Sequence, residues 1–368
     1  MKIVHVTSVH DRYDNRIFYK QCIDLSKKFP NFHLFVADGL KNETLRGIVI
    51  TDSKIFKSKS RILRILIESP VVLYKAFKAN PGLIHIHDPE LLLYAPFLRY
   101  FFSKQKIIYD MHENLSASVL TKSYLPKMTR KFISKMIFFI EKSLLKNISI
   151  VYAEKSYSKY YKTKMSSACV MNFPKDIWFN KETVSTEKKI KKIGYIGSCT
   201  VRRGLMNLLS AVDTINREGY NIQVELIGNI RDNINHSQIF NSLVADSKLK
   251  VHGFVPNEKA IQIVKNWDIG FAVLENDPNY VESYPTKLFE YFALSIPVVT
   301  SNPDLYKDLV DEFNGGKCVN PGNQGELIEA ITDILLKPEE YIPEYPQGKY
   351  RWENELKKLV DLYEEILC

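Results

Sequence analysis

Short apolar segments and stretches of helical periodicity take turns along this chain. In the first half the apolar segments are KIVHVT (2–7), FHLFVA (32–37), LIHIH (83–87), KIIYD (106–110) and ISIVYA (148–153), and helical patterns separate them at 15–29, 61–79, 89–102 and 129–147. The rhythm restarts with KIGYIG (192–197), VELIG (224–228), DIGFAVL (268–274) and PVVT (297–300), with helical patterns at 204–218, 257–266, 285–294 and 324–336. The apolar segments are near-continuous, without strict alternation of polar positions, as strands covered on both faces require. Strand–helix alternation of this kind predicts an α/β protein with parallel sheets and helices on both faces. Residues 173–191 mix Pro, Asn, Thr and charge and break the rhythm. They predict a linker between a first domain, 1–172, and a second, 192–350. The last stretch, 351–368, has apolar residues at 352, 356, 359, 360, 363 and 367, one face of an amphipathic helix.

Composition narrows the class. With 368 residues, 45% hydrophobic, 25% charged, 15 Gly and 16 Pro, the chain is neither collagen-like nor wholly disordered. Its longest apolar runs are about five residues, against roughly 18 for a membrane span. The start, MKIVHVTS, reads as a first strand and not as a secretion signal. Cysteines 22, 169, 199, 318 and 368 are scattered, with no CxxC, which predicts thiols in a reducing cytoplasm and no zinc site. The net charge of +9 is unevenly spread: residues 1–180 hold 30 Lys and Arg against 14 Asp and Glu, and the remainder holds 21 against 28. A basic half beside an acidic one points to an anionic partner for the first domain; membrane lipid, a lipid-linked diphosphate and nucleic acid all fit that description.

Ligands of open α/β sheets sit beyond the carboxyl ends of strands. The polar residues there are Ser8–Arg16, Asp38, His87-Asp88-Pro89-Glu90 and 110–113 in the first half, and 197–204, Gly228-Asn229, 275–287 and Thr300-Ser301 in the second. Two such edges predict a cleft between the domains as the site. No Walker A motif is present, and Gly194, Gly197 and Gly204 do not have dinucleotide-fingerprint spacing. A strand, a glycine turn, Arg202-Arg203-Gly204 and then a helix can nevertheless seat an anion at the helix N-terminus, with Arg203 binding phosphate oxygens; an ordinary turn with solvated arginines has the same pattern. The segment Glu282-Ser-Tyr-Pro-Thr-Lys-Leu-Phe-Glu290 is sharper. It places two carboxylates with seven residues between them, the second in a helix that begins near Pro285, with Lys287 and Glu290 on one face. A carboxylate there can accept hydrogen bonds from vicinal sugar hydroxyls.

Over nearly its whole length the chain resembles the family 4 retaining glycosyltransferases of the GT-B fold, of the surface-polysaccharide type. The resemblance is carried by DNRIFYKQCIDLSKKF (14–29), IHIHDPELL (84–92), YDMHE (109–113), IGYIGSCTVRRGLMNLLSAV (193–212), LIGN (226–229), HGFVPNEKAIQIVKNWDIGFAVL (252–274), YPTKLFEYFALSIPVVTS (284–301) and the final WENELKKLVDLYEEIL. It implies two doubly wound Rossmann-like domains facing a central cleft, an N-terminal acceptor-binding domain, a C-terminal nucleotide-sugar-binding domain and a last helix that returns to the first domain. It implies that Glu290 holds ribose hydroxyls and that Glu282 with the backbone of Ser283, Tyr284, Pro285 and Thr286 meets the donor sugar and diphosphate. Arg203 and Lys287 would neutralise the diphosphate, beside Gly197, Ser198 and Gly204; His112 would lie beside the reacting sugar; Gly253, Phe254 and Val255 would meet the nucleobase. Asp14, Arg16, His87, Asp88 and Glu113 are the acceptor-side candidates. Two departures stand out: Ser198 occupies the place of the family's usual arginine, and His10–Arg16 replaces a Gly-Gly loop.

The implied reaction expels a nucleoside diphosphate, UDP as the resemblance implies, and needs cations and N–H dipoles around it; no acidic pair placed for a metal stands out, so no metal or other cofactor is expected. Retention would let the leaving phosphate oxygen take the acceptor proton. In 128–147 an apolar stripe at 132, 133, 136, 137, 140 and 144, with Lys and Arg at its flanks, is in most part what a core-facing helix needs, while Phe138 and Phe139 are extra. With the basic first half this favours a peripheral enzyme on the cytoplasmic face of the cell membrane, acting on a polyprenyl-diphosphate-linked oligosaccharide for O-antigen, capsule or a similar polymer, and not on nucleic acid. The rivals are a nucleotide-sugar 2-epimerase of the same fold and a non-catalytic basic membrane- or nucleic-acid-binding module.

Overall fold

In the computed structural model, residues 1–55, 60–101, 104–121, 125–179, 190–275 and 282–368 are described. They form two compact units, Met1–Asn172 with Trp352–Cys368, and Phe173–Arg351. Of the segment expected as a linker, 173–179 and 190–191 lie in the second unit, and the remainder, 180–189, lies outside the described residues.

The first unit is built on eight strands: β1 (Ile3–Val6), β2 (Phe32–Val36), β3 (Glu43–Leu45), β4 (Ile48–Asp52), β5 (Leu83–Ile86), β6 (Lys106–Met111), β7 (Ser149–Tyr152) and β8 (Ser167–Cys169). Their order is β3-β4-β2-β1-β5-β6-β7-β8. The chain winds outward from β1 through β2 and then crosses back to β5, so the strand order reverses between β1 and β5. The second sheet holds β9 (Lys191–Ile196), β10 (Ile222–Ile227), β11 (Leu249–Gly253), β12 (Ile269–Ala272), β13 (Val298–Ser301) and β14 (Gly316–Val319), in the order β11-β10-β9-β12-β13-β14. It reverses between β9 and β12.

The expected strands are all present, within one or two residues at each end. Wholly parallel sheets are corrected at one edge, where β3 runs antiparallel to β4. Strands β3, β8, β11 and β14 escaped the apolar pattern because they lie at sheet edges where side chains meet solvent, as Lys250 and Val251 do in β11, and β4, next to the β3 edge, has Val49 exposed between the buried Ile48 and Ile50.

The final helix, Trp352–Leu367, packs within the first unit: Trp352, Leu359, Leu362 and Tyr363 are buried with Ile3, Ile17, Phe18 and Cys22. Trp352 Nε1 donates to Asp24 Oδ2 at 2.8 Å, which locks the start of that helix. A second correction concerns the helix Lys127–Leu144. Its apolar stripe is not mainly a core face. Met128, Phe132, Met136, Phe139 and Ile140 are exposed, with Phe132 71% exposed, and Phe138 is the ring that packs against the core. Among the described residues no helix is long and apolar enough to cross a membrane.

Candidate functional site

Each sheet's reversal point gathers the polar side chains singled out in the sequence, with different chemistry in the two units. In the second unit the turn after β9 runs from Gly197 to Gly204 and feeds the helix Leu205–Arg217. Gly204 sits at φ +70°, and a Cβ there would lie 2.5 Å from the Val273 carbonyl oxygen, so only glycine lets the chain enter the helix this close to the end of β12. Gly197, at φ +119°, is crowded differently: a Cβ would meet Lys287 Cε at 2.9 Å and Nζ at 3.0 Å, with Arg203 Nη1 at 3.7 Å. Two cations therefore converge over one bare glycine.

Lys287 lies in the first turn of the helix Thr286–Ala293, whose N-cap is Pro285; the helix begins one residue later than the expected proline start. Its ammonium donates to the Tyr195 hydroxyl at 3.2 Å and stands 4.2 Å from the centre of that ring. Tyr195 in turn donates to the Ser198 carbonyl at 2.8 Å. Burial, and then the neighbouring Arg203, push the Lys287 pKa down to about 7, with Cys199 and Glu290 acting in the opposite sense. Two cations held this close disfavour each other's charge, and an anion placed between such groups relieves the repulsion. Glu290 is buried on the same helix, while Glu282 is exposed and Ser283 to Thr286 are half-buried at the helix start. Phe254, after β11, is 65% exposed, with Gly253 and Val255 half-buried beside it. Residues 276–281 lie outside the described residues.

In the first unit opposite charges are paired. Arg16 grips Asp110 with two hydrogen bonds, Nε to Oδ2 at 3.0 Å and Nη2 to Oδ1 at 2.7 Å, and donates through Nη1 to the Val170 carbonyl. Gln21 Nε2 adds a bond to Asp110 Oδ2 at 2.7 Å. Burial alone would raise the Asp110 pKa, but Arg16 and the nearby His112 and His87 hold it well below the usual carboxylate range. Asp88 is also buried, and accepts from the Ser8 N–H and from the Thr7 and Ser8 hydroxyls; burial raises its pKa. Asp14 caps the π-wound helix Asn15–Cys22 by accepting from the Arg16 and Ile17 N–H groups. Of the acceptor-side candidates, then, Asp14, Arg16 and Asp88 are engaged by the protein itself, and His87 is fully buried. Glu113 is exposed and His112 is half-buried, and His112 Nε2 lies 3.1 Å from Asp110 Oδ2.

Histidines missed as a group complete this region. His5 on β1 stands in register with His85 on β5, and both are buried with His87. His10 rests between Asp14 and Asp88, at 3.5 and 3.6 Å, with its ring 4.8 Å from that of His112. Burial lowers its pKa, but the two carboxylates prevail and raise it to about 9. The signal was present in HxH at 85–87, but only the strand register brings His5 alongside. Two triplets, His5–His85–His87 and His87–Asp110–His112, bring ligand-type atoms within 4.8 Å of one another. Most of those atoms already bond to one another or to Tyr363, and the Arg16 cation sits on the shared carboxylate, so the donor set suits a hydrogen-bonded chain better than a dication.

Beside them, a cavity of about 260 Å³ is lined by Ser8, His10, Asp38, Lys54, Arg64 and Glu68, among others. Glu68 Oε1 and Arg64 Nε are buried there without a hydrogen-bond partner.

Comparison with known proteins fits this architecture. Solved structures of the GT-B class superimpose on the whole chain. A sucrose-phosphate synthase from Thermosynechococcus elongatus matches with TM-score 0.74 at 15% identity, over 99% of this chain and 98% of that one. HepE from Anabaena, solved with UDP, matches with TM-score 0.67 at 13% identity, over 99% and 100% of the two chains. WaaG, a glycosyltransferase involved in lipopolysaccharide biosynthesis, matches with TM-score 0.68 at 11% identity, over 99% and 98%. The fold is therefore GT-B. Residues 176–344, which hold the Arg203–Lys287 site, match the family of glycosyl transferases group 1. No curated protein matches the sequence.

Proposed function

We propose that the protein is a retaining glycosyltransferase that takes a hexose or N-acetylhexosamine from a nucleoside-diphosphate sugar. The observation that carries this reading is the convergence of Arg203 and Lys287 over Gly197, at the reversal point of the second sheet and inside the stretch that matches the group 1 glycosyl transferases. HepE was solved with UDP, and a uridine donor is the first to try.

The chemistry follows from the charges. Breaking the sugar–phosphate bond leaves negative charge on a diphosphate, and the fixed guanidinium of Arg203 together with the Lys287 ammonium stabilises it as it forms. The N-terminus of the helix Thr286–Ala293 adds its dipole. These groups supply the charge that a divalent ion would bring, so turnover continues in excess EDTA. Glu290 accepts from the ribose hydroxyls, Glu282 and the 283–286 backbone meet the sugar and diphosphate, and residues 253–255 meet the base. His112 orients the reacting sugar, and the departing phosphate oxygen takes the acceptor proton on the same face.

The acceptor is a polyprenyl-diphosphate-linked saccharide for a surface polymer, met at the cytoplasmic face of an anionic membrane. Supporting this are the outward Met128, Phe132, Met136, Phe139 and Ile140, with exposed Lys131, Lys135 and Lys142 on the same helix, and the exposed Phe97, Tyr100 and Phe101 of the helix Ala95–Phe101. Successive right-handed crossovers from β5 to β6 and from β6 to β7 place both helices on one side of the sheet. Apolar side chains mixed with lysines suit the interface of an anionic bilayer. The cavity lined by Ser8, Asp38, Lys54, Arg64 and Glu68 offers polar side chains to the acceptor's hydroxyls.

A panel of nucleoside-diphosphate sugars tests the donor. One present at 100 times its dissociation constant stabilises the fold by about 2.7 kcal/mol. Transfer with that donor and a lipid-linked acceptor should then give a product of retained anomeric configuration by proton coupling in NMR. No stabilisation by any donor, or an inverted product, overturns the reading.

A further inference from the structure

Four buried rings link the last helix of the chain to His112. Tyr363 Oη lies 2.7 Å from His85 Nδ1 and 2.8 Å from His5 Nε2. His5 Nδ1 lies 2.8 Å from His87 Nε2, and His87 Nδ1 lies 3.2 Å from His112 Nε2 and 3.4 Å from Asp110 Oδ2. His5, His85, His87 and Tyr363 are at most 1% exposed. Burial holds the three histidines well below the usual imidazole pKa, so each is neutral with one ring proton.

One atom settles where those protons sit. His85 Nε2 is buried without a hydrogen-bond partner. A bare lone pair tolerates that position better than an N–H, which is among the rarest orphans in folded proteins. The His85 proton therefore sits on Nδ1 and is donated to Tyr363 Oη. The tyrosine has a single proton, and it goes to His5 Nε2. His5 must then be protonated on Nδ1, which donates to His87 Nε2, and His87 is left with its proton on Nδ1. Each bond in the chain uses one proton and one lone pair, and none is left over.

Resting on the reading of His112 as a site residue, we propose that Tyr363 is a positioning residue for it: the tyrosine hydroxyl imposes one direction on the chain His85, Tyr363, His5, His87, so that His87 always presents an N–H to the Asp110–His112 pair. Two consequences follow. His112 has no inward lone pair on His87 to which it can pass a proton, and this favours orienting a sugar over acting as a relayed base. The terminal helix, far along the sequence, is part of the first unit's chemistry as well as its core. The groups facing His112 are then His87, Asp110 and His10, with Asp14 and Arg16 beyond them.

The test is Tyr363→Phe, which keeps the ring and removes the hydroxyl, read by ¹⁵N NMR of histidine-labelled full-length protein without any nucleotide. Tautomers report through the two ring nitrogens, and His87→Gln assigns the signal. Wild-type His87 should show protonated Nδ1 alone. In Tyr363→Phe both tautomers of His87 should appear, and the His112 ring signals should shift. Phe29→Leu is the control, because Phe29 packs 5.6 Å from the Tyr363 ring and touches none of these bonds; it should leave the His87 pattern intact. An unchanged His87 pattern in Tyr363→Phe, or the same change in Phe29→Leu, overturns the proposal. The readout needs no donor, so its failure is distinct from failure of the transferase reading, which would show as absent turnover in the wild type.

Discussion

The two reversal points treat charge in opposite ways. In the first unit Arg16 and Asp110 are both buried and neutralise one another, with Gln21 and two histidines filling the remaining lone pairs. In the second unit Arg203 and Lys287 are held close enough that each disfavours the other's charge. A paired arrangement is complete as it stands and its main effect is on the fold. A like-charge arrangement carries excess positive charge, which is what a bound anion would offset. The difference separates residues of similar type at similar places in two similar sheets: the arginine of the first unit is spent on a buried carboxylate, and the arginine of the second stands beside a lysine, where the proposed diphosphate would bind.

The sharpest way to break this comparison is Asp110→Ala. It leaves Arg16 buried with its charge unpaired, and the loss of unfolding free energy should be about 3–5 kcal/mol in denaturant titrations. A loss under about 1 kcal/mol would mean that water reaches Arg16 and that the pair is not a closed unit. Arg203→Ala should do the reverse: little change in stability, and a fall in turnover of about 10²–10³ at saturating donor, the range for one electrostatic group lost beside developing charge. Normal turnover would reduce Arg203 to a surface residue.

Glu290→Ala sharpens the second site further. Ribose hydroxyls left without their acceptor in a closed environment cost about 1–3 kcal/mol, seen as weaker nucleotide binding. Unchanged affinity would remove Glu290 from the ribose contact.

The effect of pH is smaller and has two signs. Lys287 has its pKa lowered to about 7 in the folded protein, against an ordinary lysine in the unfolded chain. Between these values the unfolded state binds more protons, so this group makes the free protein more stable as pH rises above about 7. Affinity for a diphosphate should fall over the same window, because the ammonium that the anion needs is lost. Affinity independent of pH there would place Lys287 away from the anion.

How far the sequence foretold this depends on what each feature needs. Glu290, Arg203 and the strand–helix rhythm around them rest on local spacing, whereas the strand order, set by which strands pair across the sheet, was not read from the sequence. The role of Tyr195 under the Lys287 ammonium was hidden because a tyrosine inside KIGYIG looks like any strand residue. Arg16 and Asp88 read as acceptor-side candidates at strand ends, and only their three-dimensional partners show them engaged by the protein itself. His5 gains meaning from its register with His85, which links positions 80 residues apart and cannot be seen from either alone. The outward face of Lys127–Leu144 was misjudged for a related reason: amphipathic spacing marks a stripe without saying whether protein covers it.

The central claim is that Arg203 and Lys287 form a diphosphate site. Calorimetric titration of the wild type with each nucleoside diphosphate and with its parent nucleoside tests it most directly, repeated on Arg203→Ala. The account predicts that one diphosphate binds well above its nucleoside, and that Arg203→Ala removes most of that difference while leaving nucleoside affinity alone. Equal binding of diphosphate and nucleoside, or a difference that survives Arg203→Ala intact, would contradict it.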